Sequence, residues 1–478
     1  MKKILLFSSV LLLLAACKSK DPIFEISSTA VAFDAKGGEQ TVFITSDHDW
    51  SASIPEGDSW YTLSQMRGNS DASVVIKAQP HEDAELRAST ITFKTVNGPV
   101  IVTVTQSAPV PPEKPEALSR KMRARGGRLA VPAVEGYSYQ VEVPDWITVA
   151  ETRKDSVILQ LDTNRTAENR RADVLLKTSA GKLLETLSVE QSWRNIEPGE
   201  LLIGEIFFAS NALPATGRPE KHNGDQYFKF TNNTDEVLYL DGLMISEAKY
   251  PSTLNFEIVK PIRDTACGVG TVYVIPGDGD DVPVKPGEYL LVVNNAQNHK
   301  ATNPNSFDLS HADFEWYDRS TSAANQDIDN PDVPNLDIWF TYSLSYWVLH
   351  NRGFEGYIIS MPPYGMTMEK YLAAYKWEGD YINHSPVGDF PMRIVKAYMV
   401  PNKWVLDGVN CSIQEKLSIL SWHDSIDAGY TYVSTVDHDK QRFGKACIRK
   451  KGSDGRLVDT NNSTNDFDHG VRASLATN

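Results

Sequence analysis

Aromatic side chains are concentrated in one stretch of the C-terminal half. Of the 68 residues from Phe314 to Tyr381, 15 are Phe, Trp or Tyr, against 10% for the whole chain. Trp and Tyr combine a large apolar ring with a polar atom, which suits them to stacking on sugars and to the centres of protein interfaces. We expect most of these rings to form a satellite core and the remainder to form an exposed binding platform. We assign to that platform Tyr342, Tyr346 and Trp347, followed by Trp316 and Trp339.

Residues that could perform catalysis are not grouped in a spacing that a known chemistry requires. The ten histidines are scattered singly, and the sequence contains no Gly-rich phosphate loop, Gly-x-Ser-x-Gly elbow or His-Glu-x-x-His zinc helix. A glycosidase needs two carboxylates at a fixed separation, but no sequence context selects a pair among the 62 acidic residues. The sequence therefore predicts a protein that is not an enzyme, with no cofactor and no metal site.

Two acidic loops are the strongest alternative to that prediction, because alternating Asp and Asn residues supply the oxygen ligands that Ca²⁺ prefers. One loop covers residues 278–281, and the other covers residues 327–332 with Asp337 following. Neither has the twelve-residue spacing of an EF-hand, and Pro331 interrupts the second. We interpret both as solvated turns and leave calcium open.

The N-terminal residues have the pattern of a secretion signal. Lys2 and Lys3 precede an apolar run over residues 4–16, which is too short to cross a bilayer as a helix, and small residues then lead to Cys17. This order resembles the bacterial lipobox. The resemblance implies a signal peptide over 1–16, a lipid on Cys17 and a tether over 17–22. An ordinary signal peptide with an incidental cysteine is the alternative.

Charge and cysteine content exclude several classes of protein. The chain has 478 residues and a formal net charge of −15, so its surface repels phosphate backbones and nucleic acid is not an expected partner. Four cysteines are too few for a disulfide scaffold. Cys267, Cys411 and Cys447 match no zinc motif and are expected to be buried free thiols. The length indicates about three folding units.

Two segments of the N-terminal half repeat each other. Gly37-Gly38 and Gly126-Gly127 each open an alternating segment, and each segment continues to a tryptophan and ends in a Gln-Ser pair. Such period-two patterning with frequent turn residues predicts small antiparallel β-sandwiches. The tryptophans are Trp60 and Trp146, and the closing glutamines are Gln106 and Gln191.

These residues, together with an Arg after an acidic turn (Arg87, Arg171), resemble the BACON domain family. The resemblance covers 23–107 and 117–192, separated by a Pro-rich linker over 108–116. It implies immunoglobulin-like sandwiches of a Bacteroidetes envelope protein, in a family named for carbohydrate binding. We favour a spacer role over sugar binding, with packing roles for Trp50, Trp60 and Trp146.

The remaining residues, 193–478, also have the pattern of a β-protein. Buried or alternating strands are predicted at 201–208, 226–230, 237–245 and 286–293, and residues 366–375 are the only good candidate for a short helix. The fold class predicted for the whole chain is all-β, with two tandem sandwiches followed by a larger one.

The C-terminal region resembles a bacterial lamin-tail sandwich. Ile203-Gly204-Glu205-Ile206, Pro286-Gly287-Glu288-Tyr289, Gly444 to Arg449, and Asp459 to Phe467 follow one another in that family's order. The resemblance covers about 200–298 and 404–468, and it leaves an aromatic-rich insertion over 303–400. It implies an attachment or interaction module, and the whole region also resembles an uncharacterised family of Bacteroidetes envelope proteins.

These resemblances imply a non-catalytic lipoprotein of the outer membrane that faces the cell exterior. The expected role is an accessory to a TonB-dependent, SusC/SusD-like uptake system, either capturing glycan or peptide or docking on the transporter. The alternative is a structural or adhesive envelope protein without a small ligand.

Overall fold

The computed structural model describes residues 21–82, 85–109, 118–132, 139–153, 155–323, 326–343 and 346–476. The signal peptide, Cys17 and most of the predicted linker lie outside these residues. Contacts divide the chain into two compact units. The first comprises residues 1–118, 134–142 and 174–187, and the second comprises 119–133, 143–173 and 188–478. Within the described residues, no helix is long and apolar enough to span a membrane.

Residues 24–106 form two β-sheets around one core. The first sheet has the strand order β1-β3-β7-β5 and the second β2-β9-β8-β4-β6, and within these sheets β2 pairs with β9 in parallel while the other pairs are antiparallel. The strands are β1 Phe24–Ile26, β2 Ala30–Phe33, β3 Gly38–Ser46, β4 Trp50–Ser53, β5 Tyr61–Leu63, β6 Arg67–Gly68, β7 Ala72–Ala78, β8 Arg87–Thr95 and β9 Gly98–Gln106.

The alternating sequence builds this core directly. In β3 the side chains of Val42 and Ile44 are buried while their neighbours are exposed, as the two-residue period of a strand requires. Gly37 precedes that strand with φ +73°, and a Cβ there would lie 2.5 Å from the carbonyl oxygen of Ala78. Gly126 has φ +70° and the same clash, at 2.4 Å from the carbonyl oxygen of Leu161. The Gly-Gly repeat is therefore a backbone requirement.

Seven strands follow in residues 118–191. They form a four-stranded sheet in the order β10-β16-β15-β12 and a three-stranded sheet in the order β11-β14-β13. The strands are β10 Leu118–Met122, β11 Gly127–Pro132, β12 Tyr139–Glu142, β13 Ile147–Thr152, β14 Ser156–Leu161, β15 Arg170–Thr178 and β16 Leu183–Gln191.

Two six-stranded sheets make up most of residues 201–472. One has the order β25-β24-β18-β17-β32-β33, and the other has β26-β22-β20-β27-β31 with β30 also paired to β22. Two smaller sheets of this region have the orders β19-β23 and β21-β28-β29. The strands are β17 Leu201–Phe207, β18 Tyr227–Asn232, β19 Leu238–Tyr239, β20 Met244–Ala248, β21 Phe256–Ile258, β22 Ala266–Val274, β23 Pro283–Val284, β24 Tyr289–Val293, β25 Phe314–Glu315, β26 Asp337–Thr341, β27 Tyr357–Ser360, β28 Gly379–Ser385, β29 Gly388–Ile394, β30 Tyr398–Pro401, β31 Val405–Val409, β32 Lys445–Arg449 and β33 Phe467–Arg472.

Helices are few and short. Helix α1 spans Met368–Ala374, where Thr367 caps its N-terminus by accepting a hydrogen bond from the N–H of Lys370, and it confirms the helix predicted at 366–375. Helix α2 spans Ser463–Asp466. The 3₁₀ turns are Lys221–Asn223, His299–Ala301, Asn402–Trp404 and Lys440–Arg442. The all-β prediction is confirmed.

The segment 303–400 is part of both six-stranded sheets, so the expected insertion is corrected. Strand β25 pairs with β24 in the first sheet, and β27 lies between β20 and β31 in the second. The expected satellite core is also wrong for Trp316 and Trp347, because both rings pack in one cluster with Phe228 of β18 and Tyr357 of β27. These rings hold the two sheets together.

Several motif residues of the C-terminal region are buried in polar networks. Arg449 donates to Asp407 at 2.6 Å and lies 3.6 Å from Asp466. Glu205 accepts from the hydroxyl of Tyr227 at 2.6 Å and lies 3.3 Å from the ammonium of Lys229. A buried charge left without a partner would cost several kcal/mol, roughly 3–5 by experience with such pairs, so these motif residues serve the fold.

Candidate functional site

A cleft of about 500 Å³ in the second unit is the main candidate for ligand binding. Its position is set by edge strand β26, where a β-bulge makes Trp339 an extra residue between two residues paired with β22. Bulges re-aim side chains and are common beside functional sites. Trp339 packs on Tyr371 of α1 with a centroid separation of 5.8 Å, and the ring lines the cleft.

The wall beyond Trp339 is a Pro-Pro-Tyr-Gly turn that presents the ring of Tyr364. The hydroxyl of Tyr364 donates to the backbone carbonyl of Asp278 at 2.9 Å, which fixes the ring. The guanidinium of Arg165 lies 4.9 Å from the centre of that ring, a cation–π distance. Two aromatic faces and one exposed cation therefore line the same cavity.

Residues on both sides of position 193 build this cleft. Ala124 and Arg165 come from the region predicted as the second sandwich, whereas Trp193 and the residues above lie in the C-terminal region. Salt bridges fix that arrangement within the second unit. Arg123 donates to Glu200 at 2.6 Å and to Glu236 at 3.1 Å. Burial is the largest single influence on the pKa of Arg123 and lowers it, but the two carboxylates together outweigh burial and raise the pKa above its usual value.

Asp241 is the buried acid of the cleft, and its carboxylate is occupied by the backbone. One oxygen accepts from the N–H of Asp281 and the other from the N–H of Val282, each at 3.1 Å. This carboxylate organises the loop over residues 278–281, for which the sequence predicts a solvated turn. The arrangement holds this wall of the cleft in place.

Trp316 and Trp347 do not contribute to an exposed platform, so the prediction is corrected for these two rings. Their exposed fractions are 0% and 1%. Trp347 donates from its indole N–H to Glu247 at 2.9 Å, and Trp316 donates to the carbonyl of Trp347 at 3.2 Å. Clustered aromatic side chains of a β-sandwich lower the free energy of the folded state most when they fill the core. The sequence offers no signal that separates core rings from surface rings.

The other three predicted rings are more accessible, and their ligand-binding role stays a prediction. Trp339 lines the cleft, while Tyr342 is 44% exposed at a separate place. Tyr346 is half-buried, and one face of its ring stacks on His222 with a centroid separation of 4.1 Å. The structure therefore does not bring the five predicted residues into one platform.

Buried acids elsewhere in the second unit are explained by packing. Burial is the main reason why the pKa of Glu247 lies well above its usual range, and the neighbouring Glu355 adds to the shift. Burial likewise raises the pKa of Glu355 to about 8. Glu247 is buried beneath the core aromatics and closed to a substrate, whereas Glu355 is half-buried.

Metal ligation has no geometric support in the residues that the structure describes. No three His, Cys, Asp or Glu side chains among them are grouped to hold an ion. In the second acidic loop Asp327 is buried and accepts from the side-chain amide of Asn295 at 2.8 Å, so it is not a solvated turn residue. Cys267, Cys411 and Cys447 are buried free thiols, as predicted.

The repeated tryptophans of the N-terminal half are covered by arginines. Arg87 lies 4.6 Å from the ring centre of Trp60, and Arg170 lies 4.4 Å from that of Trp146. The equivalent of Arg87 is thus Arg170, and the assignment of Arg171 is corrected by one position. A guanidinium thus covers one face of each ring, and the spacer role expected of these domains stays a prediction.

Three residues of the cleft were missed by sequence reasoning: Arg165, Trp193 and Tyr364. Arg165 lies in a segment interpreted as part of a separate sandwich, so no local signal links it to Trp339. The Pro362-Pro363-Tyr364-Gly365 turn is visible in the sequence as an aromatic held in a rigid loop, and it could have marked Tyr364.

Comparisons with known families identify two domains. A family model described as "Protein of unknown function (DUF4876)" matches residues 285–474. The BACON family model, described as "Putative binding domain, N-terminal", matches residues 49–107. The resemblance to BACON is confirmed for the first copy and stays a prediction for the second. The DUF4876 match runs through the segment expected to be an insertion.

Solved structures with similarity to the chain include proteins of Bacteroides. A DUF4876 family protein from Bacteroides thetaiotaomicron is 16% identical over 93% of this chain and 95% of that chain, with a TM-score of 0.44. A Bacteroides ovatus GH5 xyloglucanase solved with a XXXG heptasaccharide is 25% identical over 21% and 22%, with a TM-score of 0.18. No curated protein matches the sequence significantly.

Proposed function

We propose that this chain is a non-catalytic, lipid-anchored protein of the outer membrane that captures saccharides for a TonB-dependent, SusC/SusD-like uptake system. The observation that carries the proposal is the cleft in the second unit, where Trp339, Tyr364 and Arg165 line one cavity of about 500 Å³. Pockets of this size, with a few convergent polar groups, are the usual sites of small-ligand binding.

The lining of the cleft suits a saccharide. Aromatic rings stack on the apolar faces of sugars, while charged and amide side chains hydrogen-bond to the hydroxyl groups around the ring. Trp339 and Tyr364 supply the rings, and Arg165, Asn195 and Asp278 supply donors and acceptors. Capture without chemistry is favoured because the carboxylate of Asp241 is already engaged by two backbone N–H groups.

Binding to glycan and peptide arrays by the full chain tests the capture role. We expect Tyr364→Ala and Arg165→Ala each to weaken binding of the best saccharide by about 1–3 kcal/mol, the range measured for stacking and hot-spot side chains. The matched control is Phe43→Ala, because Phe43 is a 59% exposed aromatic on β3 that lies outside the cleft. This variant should bind like the wild type.

Four outcomes contradict the capture role in different ways. Equal binding by wild type and both cleft variants would remove the cleft as the site, and binding of peptides alone would change the ligand class. Absence of any ligand, together with co-purification of a transporter, would favour docking. Absence of both would favour a structural or adhesive envelope protein.

The membrane anchor is supported by the small residues and the position of Cys17 after the apolar run. Cys17→Ser removes the thiol that would carry the lipid, so we expect loss of metabolic labelling with palmitate and release of the chain from the membrane fraction. Protease treatment of whole cells then reports the direction that the chain faces. Unchanged labelling in the variant would contradict the anchor.

A further inference from the structure

Two lysines of the second unit approach each other without an acidic partner. Lys249 directly follows β20, and Lys396 lies between β29 and β30. Among the described residues, neither lysine forms an ion pair with a carboxylate, in contrast to Lys376, whose ammonium pairs with Glu378. Burial, and then the charge of Lys396, lower the pKa of Lys249. Glu247 and Glu355 act on the neighbouring Tyr342, whose pKa is raised by burial and then by these two acids, but neither forms an ion pair with Lys249 or Lys396 among the described residues.

Tyr342 contacts both lysines. The ammonium of Lys249 is 5.6 Å from the centre of the Tyr342 ring, and the ammonium of Lys396 donates to the backbone carbonyl of Tyr342 at 3.4 Å. Because 44% of Tyr342 is exposed, its ring is open to a ligand while both cations remain beside it.

The backbone around this group is shaped for close approach. A Cβ at Gly270 would lie 3.2 Å from Cδ1 of Tyr342, so a larger residue would displace that ring by a few tenths of an ångström, while Cδ of Lys249 at 3.6 Å would be in ordinary contact. Lys396 has φ +51°, in the left-handed region that a lysine rarely adopts. The chain thus holds Lys396 in an unfavourable conformation next to a like charge.

An apolar groove of about 340 Å³ borders the same place. Lys249 lines it together with Tyr250 and Trp377, and the ammonium of Lys249 is 5.9 Å from the centre of the Tyr250 ring. A ligand that binds here needs an anionic group to pair with the lysines and a ring with an apolar face to pack against the aromatic side chains.

We infer that Lys249, Lys396 and Tyr342 form a second binding site, for the acidic group of a saccharide, either a uronate carboxylate or a sulfate ester. The anionic group lies between the two ammonium groups, and the sugar ring packs against Tyr342. The inference rests on the proposed capture of saccharides, but it is independent of the cleft, because none of the three residues lines it.

Calorimetric titration of the full chain with three oligosaccharides tests this site: an oligogalacturonate, a κ-carrageenan oligosaccharide, which carries sulfate esters and no carboxylate, and neutral cellohexaose. We expect at least one acidic probe to bind, with an affinity that falls as salt rises. Lys249→Met and Lys396→Met keep the apolar stem and remove the charge, and each should weaken that binding about tenfold. Lys376→Met is the control, because it removes an exposed lysine that already has a partner.

The outcomes separate this site from the cleft. Loss of acidic binding in the lysine variants but not in Tyr364→Ala supports the inference, and the two acidic probes distinguish carboxylate from sulfate. Acidic probes that bind no more tightly than cellohexaose, or equally well in the double lysine variant, would overturn it. In that case neutral binding lost in Tyr364→Ala would leave the proposed function intact.

Discussion

Asp318 shows how single buried groups link the predicted aromatics to the stability of the second unit. Its carboxylate accepts from the hydroxyl of Tyr273 and from the backbone N–H of Trp347. Burial outweighs both hydrogen bonds and raises the pKa of Asp318 to about 7. The carboxyl therefore binds a proton in the folded state over a range, roughly pH 4 to 7, in which the unfolded chain has released it.

We expect the wild type to lose stability as pH rises through that range. The folded state holds more protons than the unfolded state there, so the free energy of unfolding falls with pH and levels off above about 7. His350 acts in the opposite direction, because burial lowers its pKa to about 4. The comparison with Asp318→Asn removes such background contributions. Between pH 5 and 8, urea unfolding should show the wild type losing on the order of 2 kcal/mol relative to the variant. Parallel pH profiles for the two proteins would contradict this account.

At the same scale, the sequence shows that aromatic rings are numerous between residues 314 and 381, but it does not show which of them are accessible. Trp316, Trp347 and Tyr342 all belong to the same aromatic-rich stretch, yet the two tryptophans are buried and Tyr342 is 44% exposed. Exposure depends on which sheet face each strand turns inward, and the strands that decide this are far apart in sequence. Residue type alone therefore predicts that some of these rings can stack on a ligand, but not where in the structure such a ring lies.

The repeated sandwich strands were predictable because their signals are local. Alternation, paired glycines and a closing glutamine all lie within one repeat. Gln106 shows why the last signal recurs, because its amide donates to the carbonyls of Asp34 and Gln79 while its oxygen accepts from Arg87. Gln191 makes the matching bonds to Ala124, Asp162 and Arg170. Each glutamine thus satisfies buried backbone groups that would otherwise lack partners.

The error over segment 303–400 has a physical origin at the scale of the element. Strands β26 and β27 have five and four residues, and their partners β22 and β20 lie far away in sequence. Short strands separated by Pro, Asn and Asp resemble an irregular insertion. Non-local pairing supplies the stability that makes them strands, and no window of sequence contains it.

The hairpin of β28 and β29 has an outer edge that is protected against pairing with a strand of another molecule. Strand β29 is the outer strand of its three-stranded sheet and exposes Phe390 and Met392. The two-residue loop pairs Ser385 with Gly388, so alternate residues including Pro391 turn their backbone groups towards the open edge. Pro391 has no N–H to donate there, which blocks the addition of another strand.

Pro391→Val should restore the missing donor and favour edge-to-edge association. We expect the variant to sediment as larger species than the wild type at equal concentration, because it presents a continuous apolar edge. Analytical ultracentrifugation of the full chain provides the measurement. If both proteins sediment identically over the same concentration range, Pro391 does not protect this edge.

At the scale of the whole molecule, the cleft depends on the second unit drawing together residues that the sequence assigned to separate domains. Arg165 and Trp339 line one cavity although they lie 174 positions apart in the sequence. Of the five residues predicted for binding, Trp339 alone lines it. Composition and motifs could predict an all-β protein with an aromatic ligand surface, but the partners of Trp339 follow from long-range packing.

Hydrogen–deuterium exchange of the full chain, with and without the saccharide that binds best in the array, tests the central claim most directly. Capture in the cleft predicts slower exchange at residues 337–341 and 361–366, which carry Trp339 and Tyr364, and no such slowing in Tyr364→Ala. Slower exchange confined to residues outside the cleft lining, or equal protection in the variant, would contradict the assignment of this cleft as the binding site.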